Sequence, residues 1–155
     1  MLLFEASIAV EPVAKGRPRF NRKTGRTYTP AKTETWERQA AAMLASAWGL
    51  PPLTRPVSVT VRAIHARPDD QLPGPRVLRD HPELAGRLWR PRKPDLDNVE
   101  KAAWDALVLA GVLADDALVV HSEPFKLWTA LGENPAVEIE IHTLPPGIAA
   151  MPRGT

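Results

Sequence analysis

Two periods of apolar residues alternate along this chain, and their order constrains the fold more than any other feature. Three segments alternate apolar and polar residues as half-buried strands do: Leu2 to Val10, Val57 to Ala63 and Val137 to Ile141. Between them, apolar residues recur at helical spacing from Trp36 to Trp48 and again from Val99 to Ala110. The chain therefore mixes strands and helices in alternation.

A further strand pattern follows the second helix, from Ala117 to Val120 and from Phe125 to Trp128, with an interruption at Pro124. The element order is then strand, helix, strand, helix, strand, strand. This order predicts an α/β (α+β) fold in which helices pack on one small mixed β-sheet. The chain has 155 residues, the usual size of one domain. We place that domain at residues 1–145 and predict a disordered tail over 146–155.

Residue types at the helix ends predict where the helices begin. Thr29 is the predicted N-cap of the first helix, with Pro30 at the first helical position. Asp97 is the predicted N-cap of the second helix, and Glu100 completes a capping box. Gly111 is expected to end that helix.

Two segments show neither the strand period nor the helical period of apolar residues. Residues 15–32 carry basic side chains, glycines and prolines without an acidic residue, which predicts a loop or loose hairpin that either contacts DNA phosphates or is an ordinary solvated loop. Residues 67–94 form a long insertion rich in proline, arginine and glycine, with a candidate short helix from Glu83 to Trp89. A loop of this length inside a domain is usually functional or mobile.

Composition excludes several classes of protein. The chain has no cysteine, so disulfides, thiolate nucleophiles and cysteine-ligated metals are excluded. No apolar run reaches the length of a membrane span, and the N-terminus begins directly with a strand pattern. We therefore expect a cytoplasmic protein without a membrane partner.

An acidic cluster is the strongest chemical signal in the sequence. Asp95 and Asp97 are two residues apart at the start of the second helix, Lys101 follows one turn later, and Asp115-Asp116 comes after the helix. Carboxylates of this kind can hold a divalent cation against a phosphate. The alternative is structural: Asp97 is only a cap, Lys101 pairs with Asp105 at i, i+4, and Asp115-Asp116 is an acidic turn.

The segment from Asp95 to Val120 resembles the signature of the RusA family of Holliday junction resolvases. The shared pattern is Asp95-Leu-Asp97-Asn-x-x-Lys101, a helix carrying Asp-Ala-Leu, a glycine, and Asp115-Asp116 before a β-rich segment, all at matching spacing. Looser likeness lies in Pro-x-x-Lys-Gly-Arg-Pro-Arg, which ends at Arg19, and in the helix start Tyr-Thr-Pro.

The resemblance implies a RusA-like fold and a set of site residues. Asp95, Asp97 and Asp116 would bind the metal, with Asp115 the less certain member of its pair, and Lys101 would be the essential basic residue. The expected ion is Mg²⁺, with Mn²⁺ as an alternative. The resemblance also implies a homodimer that binds branched DNA at a four-way junction and nicks two opposed strands.

The remaining candidate residues support this interpretation. Asn98 is expected to orient the carboxylates or the helix start. The predicted DNA-binding residues are all basic: Lys15, Arg17, Arg19, Arg22, Lys23, Arg26, Arg92, Lys93 and Lys126. Two other functions stay open, namely a branched-DNA-binding protein that does not cleave, and a nuclease that acts on flaps or RNA.

Overall fold

The computed structural model describes residues 1–149 and confirms a small α+β domain with a mixed sheet. Residues 150–155 of the predicted tail lie outside the described part. The elements in chain order are β1 (Leu2–Ile8), β2 (Arg19–Asn21), β3 (Arg26–Tyr28), α1 (Ala31–Trp48), β4 (Val57–His65), α2 (Pro75–Asp80), β5 (Leu88–Trp89), α3 (Leu96–Leu109), β6 (Val119–Trp128) and β7 (Ala136–His142).

The main sheet has the strand order β1-β7-β4-β6-β5. β4 pairs in parallel with β6 and antiparallel with β7, and β7 pairs antiparallel with β1. Parallel neighbours need a crossover connection, and the segment between β4 and β6 that contains α3 supplies it. β2 and β3 form a separate hairpin in the basic arm, as the sequence allowed.

The core lies between one face of the sheet and the two long helices. Every second residue of β4 from Val57 to Ala63 is fully buried, as are Ile139 and Ile141 of β7. They pack against the apolar faces of α1 and α3, including Leu44 and Leu107. The alternating apolar residues of the strands therefore pack against the apolar stripes of the helices, which form a single layer on one face of the sheet.

Both predicted helix starts were wrong in detail. α1 begins at Ala31. The backbone of the preceding Pro30 stays extended at ψ 136°, and no side chain caps the start of the helix. α1 thus begins one residue later than predicted. The basic arm packs closely against this proline. A Cβ added to Gly16 would lie only 2.8 Å from the Pro30 ring. Any larger residue at position 16 would therefore force the arm off the helix.

α3 begins earlier than predicted, at Leu96, so Asp95 rather than Asp97 is the capping residue. The Asp95 carbonyl accepts the amide hydrogens of Asn98 and Val99 at 3.2 and 3.4 Å, while neither carboxylate caps the helix. Glu100 does not close a capping box; its carboxylate accepts a hydrogen bond from Ser122 on β6. The carboxylates of Asp95 and Asp97 are consequently free for another use.

β6 is one continuous strand rather than two pieces separated at Pro124. The short β5 pairs only with Leu127 and Trp128, so Pro124 lies where β6 is the edge of the sheet. A proline at an edge costs no ladder hydrogen bond when its nitrogen faces away from the neighbouring strand.

The insertion 67–94 contains short elements instead of the helix expected over 83–89. A 3₁₀ turn spans Pro82–Ala85, and α2 and β5 lie on either side of it. Arg67 fastens this segment to the domain, since its guanidinium donates to the Thr129 and Leu84 carbonyls at 2.8 Å and also to the Gly86 carbonyl. Within residues 1–149, no helix is both long and apolar enough to cross a membrane.

Candidate active site

Asp95 and Asp97 lie together at the exposed start of α3. Their side chains are 62% and 63% exposed. Lys93 Nζ lies 3.6 Å from Asp95 Oδ1, and Lys101 Nζ lies 3.8 Å from Asp97 Oδ2. Ion pairs this long and exposed are weak, so they leave the carboxylate oxygens available to a cation.

Lys101 does not form the pair with Asp105 that the structural alternative predicted. Its ammonium faces Asp97, one turn towards the start of α3. Asp105, the partner expected in the alternative, instead pairs with Lys15 at 2.7 Å. Lys101 is more than half exposed, so it can approach a phosphate bound beside Asp97.

Lys126 fixes the loop that leads into Asp95. From β6, its Nζ donates to the carbonyls of Arg92 at 2.9 Å and Pro94 at 2.8 Å. The Arg90 amide in turn donates to the Lys126 carbonyl at 3.0 Å. The sequence predicted Lys126 as a DNA contact, but the structure gives its ammonium two partners within the protein.

Contacts with an aromatic ring support the same loop. The guanidinium carbons of Arg90 and Arg92 lie 4.7 and 5.5 Å from the centre of the Trp128 ring, a favourable cation–π arrangement. Arg92 also pairs with Asp70 of the insertion, and this contact lowers the pKa of Asp70. The insertion therefore takes part in positioning the loop before Asp95.

Asp115 and Asp116 lie between the end of α3 and the start of β6. Asp115 caps the short 3₁₀ turn Asp116–Leu118 by accepting the Ala117 amide at 2.8 Å. Both carboxylates line a groove with Asp105 and Leu109, near the end of α3. Ser122 of β6 reaches the first turn of α3, where its hydroxyl donates to the Glu100 carboxylate.

The donor set fits part of a magnesium site. No group of three aspartate, glutamate or histidine side chains in residues 1–149 is arranged to hold a metal ion alone. The pair Asp95 and Asp97 nevertheless supplies hard oxygen donors, and Mg²⁺ needs only one or two protein carboxylates when water and substrate phosphate complete its shell. The metal-binding role of Asp116 stays a prediction.

The basic arm presents most of its cations to solvent. The side chains predicted to bind DNA from Arg17 to Arg26 are all exposed: Arg17, Arg19, Arg22, Lys23 and Arg26. Arg92 and Lys93 are exposed as well. These positions suit contact with a phosphate backbone.

Lys15 differs from the rest of the arm because it is already paired. Its ammonium lies 2.8 Å from Glu37 of α1 and 2.7 Å from Asp105 of α3. Burial alone lowers the pKa of Lys15, but the bonds to Asp105 and Glu37 outweigh burial and raise it. Its amide donates to the Asn98 carbonyl at 3.0 Å. Lys15 thus fastens the arm to both helices, and Asn98 receives that contact through its backbone.

Two comparisons with known proteins place this chain among its relatives. The family model described as "Endodeoxyribonuclease RusA" matches residues 9–142. The chain is also 31% identical over 133 residues to the uncharacterized protein YqaN of Bacillus subtilis (strain 168), an alignment that covers 84% of this chain and 89% of that protein.

The fold, the exposed carboxylate pair and the family match define a DNA endonuclease. This chain belongs to the RusA family of Holliday junction resolvases. The match includes the arm, the insertion and the whole segment from Asp95 to Asp116, so every residue singled out above lies within it.

Sequence reasoning missed the residues that support the loop before Asp95. Trp128, Thr129 and Arg67 carried no signal, because each acts on residues far away in the sequence. Pairing of the short β5 with β6 brings Trp128 opposite Leu88, next to the loop. Only a correct strand pairing could have identified this role.

The position of Lys126 gives a prediction that separates its two possible roles. Lys126→Met should lower the cleavage rate by about 10- to 100-fold, as supporting residues around a metal site do. Because the ammonium already donates to two carbonyls of the protein, the salt dependence of DNA binding should be unchanged. A direct phosphate contact would instead lower the slope of log affinity against log salt by about 0.9 and leave the rate of the bound complex intact.

His65 provides a prediction for stability against pH. The residue is only 4% exposed, and burial, together with the charges of Arg90 and Lys126, lowers its pKa from 6.5 to about 4. Between these values the unfolded chain binds a proton that the folded protein does not. Stability should therefore fall as pH decreases from about 6.5 to about 4, by roughly 3 kcal/mol for this group.

Urea unfolding of the wild type and of His65→Gln at pH 7 and pH 4 measures this difference, with His81→Gln as an exposed control. The wild type should lose more stability than His65→Gln on acidification. Equal losses would contradict the account, as would an NMR titration in the folded wild type that gave His65 an ordinary pKa.

Proposed function

We propose that this protein is a Mg²⁺-dependent endonuclease that resolves Holliday junctions by nicking two opposed strands, in DNA recombination and repair. The proposal rests on Asp95 and Asp97 at the start of α3. Their carboxylates are exposed and do not cap the helix, and both residues lie inside the stretch that the family model matches. Carboxylates beside a predicted phosphate path serve little purpose in binding alone, because they repel the backbone.

The chain's residues divide the work of phosphodiester hydrolysis. Asp95 and Asp97 would hold the ion, with Asp116 as a further carboxylate. When bound, a divalent ion polarises a phosphoryl oxygen and lowers the pKa of a bound water. Lys101 would contact the scissile phosphate and stabilise negative charge that develops on it. Lys126 keeps the peptide before Asp95 in place.

Paired nicking gives a reason to propose a homodimer. Two opposed strands cut in one complex require two sites, and a two-fold symmetric dimer presents two copies facing a junction that has matching symmetry. The exposed arm from Arg17 to Arg26 would then hold the backbone on each side. Mn²⁺, which accepts the same oxygen ligands, should replace Mg²⁺.

A panel of DNA substrates tests this function. Four-way junction, flap, linear duplex and single strand of the same sequence, together with that single strand as RNA, are each incubated with the protein in Mg²⁺, in Mn²⁺ and in a chelator. The proposal predicts nicking of the junction with either metal and none with chelator. Junction binding without any cleavage would identify a binding protein, and preferential cleavage of flaps or RNA would identify a different nuclease; either result overturns the proposal.

A further inference from the structure

A pocket of about 530 Å³ lies between the basic arm and the loop before Asp95. Its walls come from five parts of the chain: the segment 11–14 after β1, the base of the arm at Gly16 and Arg19, the first turn of α1, the end of β4 at His65, and the loop at Arg90 and Pro94. Pro94 immediately precedes Asp95, so the pocket adjoins the candidate metal site. We call it the arm pocket.

Three cations without carboxylate partners line the arm pocket. Arg19 and Lys32 are exposed and form no salt bridge within residues 1–149. Arg90 is partly buried; its Nη1 donates to the Arg92 carbonyl, and its Nε is buried without a hydrogen-bond partner in the described part of the chain. Burial lowers the pKa of Arg90, and the charge of Glu11 opposes this shift only in part.

The start of α1 adds to the positive potential of the pocket. The first turn of this 18-residue helix lines the cavity through Pro30, Lys32 and Thr33, and no side chain caps it. The first amide groups of a helix have no partner within it and carry partial positive charge, so an anion is favoured there.

A buried and unpaired polar group lies in the wall of the pocket. His65 lines the pocket, is more than nine-tenths buried, and its Nε2 has no hydrogen-bond partner among residues 1–149. Buried polar atoms are seldom left unpaired in a native protein.

One carboxylate opposes an anion in this place. Glu11 lines the pocket, but its oxygens accept the Ala66 amide at 3.2 and 3.3 Å and lie 3.6 Å from His65 Nδ1. It is therefore tied to the end of β4. The pocket is lined by three cations and one carboxylate, and that carboxylate is already hydrogen-bonded. Its net charge is therefore positive.

We propose that the arm pocket binds one non-scissile phosphate of the DNA strand that enters the active site. Arg19, Lys32, Arg90 and the start of α1 hold this phosphodiester, while the scissile phosphate lies beside Asp95 and Asp97. The pocket thereby fixes the register of the strand relative to the carboxylates. The inference rests on the proposed function for the identity of the strand.

Neutral methylphosphonate linkages test the site one phosphate at a time. The protein carries Asp97→Asn, so that only binding is measured, and the junction has a single neutral linkage moved stepwise along the strand near the branch. One non-scissile position should weaken binding by about tenfold or more, the size of a charge-assisted hydrogen bond. In Arg19→Gln/Lys32→Gln that position should lose its effect.

Arg38→Gln is the control, because it removes an exposed charge from the same helix at a position that does not line the pocket. It should leave the sensitive position unchanged. The inference is overturned if the pocket variant keeps the same sensitivity, if no non-scissile position responds, or if the effect depends on a terminal 5′-phosphate rather than an internal linkage. Cleavage plays no part in this measurement, so a junction that the wild type fails to cut would defeat the proposed function while leaving the pocket result intact.

Discussion

Asp97→Asn is expected to abolish nicking of a synthetic four-way junction, with a loss of about 1,000-fold or more in the cleavage rate. The change removes a carboxylate charge from the pair at the start of α3, and metal ions contribute several kcal/mol to stabilisation of the transition state. Binding of the junction should persist, because the arm from Arg17 to Arg26 is untouched. Single-turnover cleavage and a gel-shift titration measure the two quantities separately.

Asp80→Asn is the matched control for this variant. Asp80 is an exposed aspartate of α2 that pairs with neighbouring Arg79, and it lies outside the candidate site. Its replacement should leave cleavage and binding within about twofold of wild type, since isolated surface ion pairs contribute little. Retained cleavage by Asp97→Asn, or an equal loss in Asp80→Asn, would refute the assignment of Asp97.

Lys101→Met should reduce the cleavage rate by about 100-fold, the effect of removing one group that stabilises charge in a transition state. Its ammonium faces Asp97 and is exposed to a phosphate bound there. Lys101→Arg keeps the positive charge and should restore part of the rate. The fold should be unaffected in both variants, because the ion pair between Lys101 and Asp97 is long, exposed and therefore weak.

The comparison of the two Lys101 variants decides what the residue does. If Lys101→Met raised the half-saturating Mg²⁺ concentration and left the maximal rate unchanged, the lysine would act on the metal carboxylate and not on the phosphate. If both variants cleaved at the wild-type rate, Lys101 would have no role in catalysis. Thermal unfolding of each variant checks that the fold is intact.

The sequence predicted the architecture well because the relevant signals are local. One face of each element is buried, and this produces both the alternation from Val57 to Ala63 and the apolar stripe from Val99 to Ala110. The sequence of each element therefore shows which of its faces is buried. The order of elements then restricts the sheet to a mixed form with helices on it. The helix starts were less predictable, since Pro30 and Asp95 are set by the docked arm and by Lys126, both distant in sequence.

The candidate site was predicted only in part for the same reason. Asp95, Asp97 and Lys101 lie within two helical turns, so their proximity follows from helix geometry. The positions of Asp116, Lys15 and Lys126 depend on how β6 and the arm pack. The sequence could not show that Asp116 lines a groove with Leu109, or that Lys15 and Lys126 form ion pairs or hydrogen bonds within the protein.

A supercoiled plasmid that extrudes a cruciform tests the central claim most directly. The cruciform contains one four-way junction, so two nicks in opposed strands within one bound complex convert the plasmid to a linear molecule. The account predicts linear product with Mg²⁺, none with chelator, and none with Asp97→Asn. Only singly nicked circles, or linear product that persists in chelator, would contradict the account of a metal-dependent resolvase.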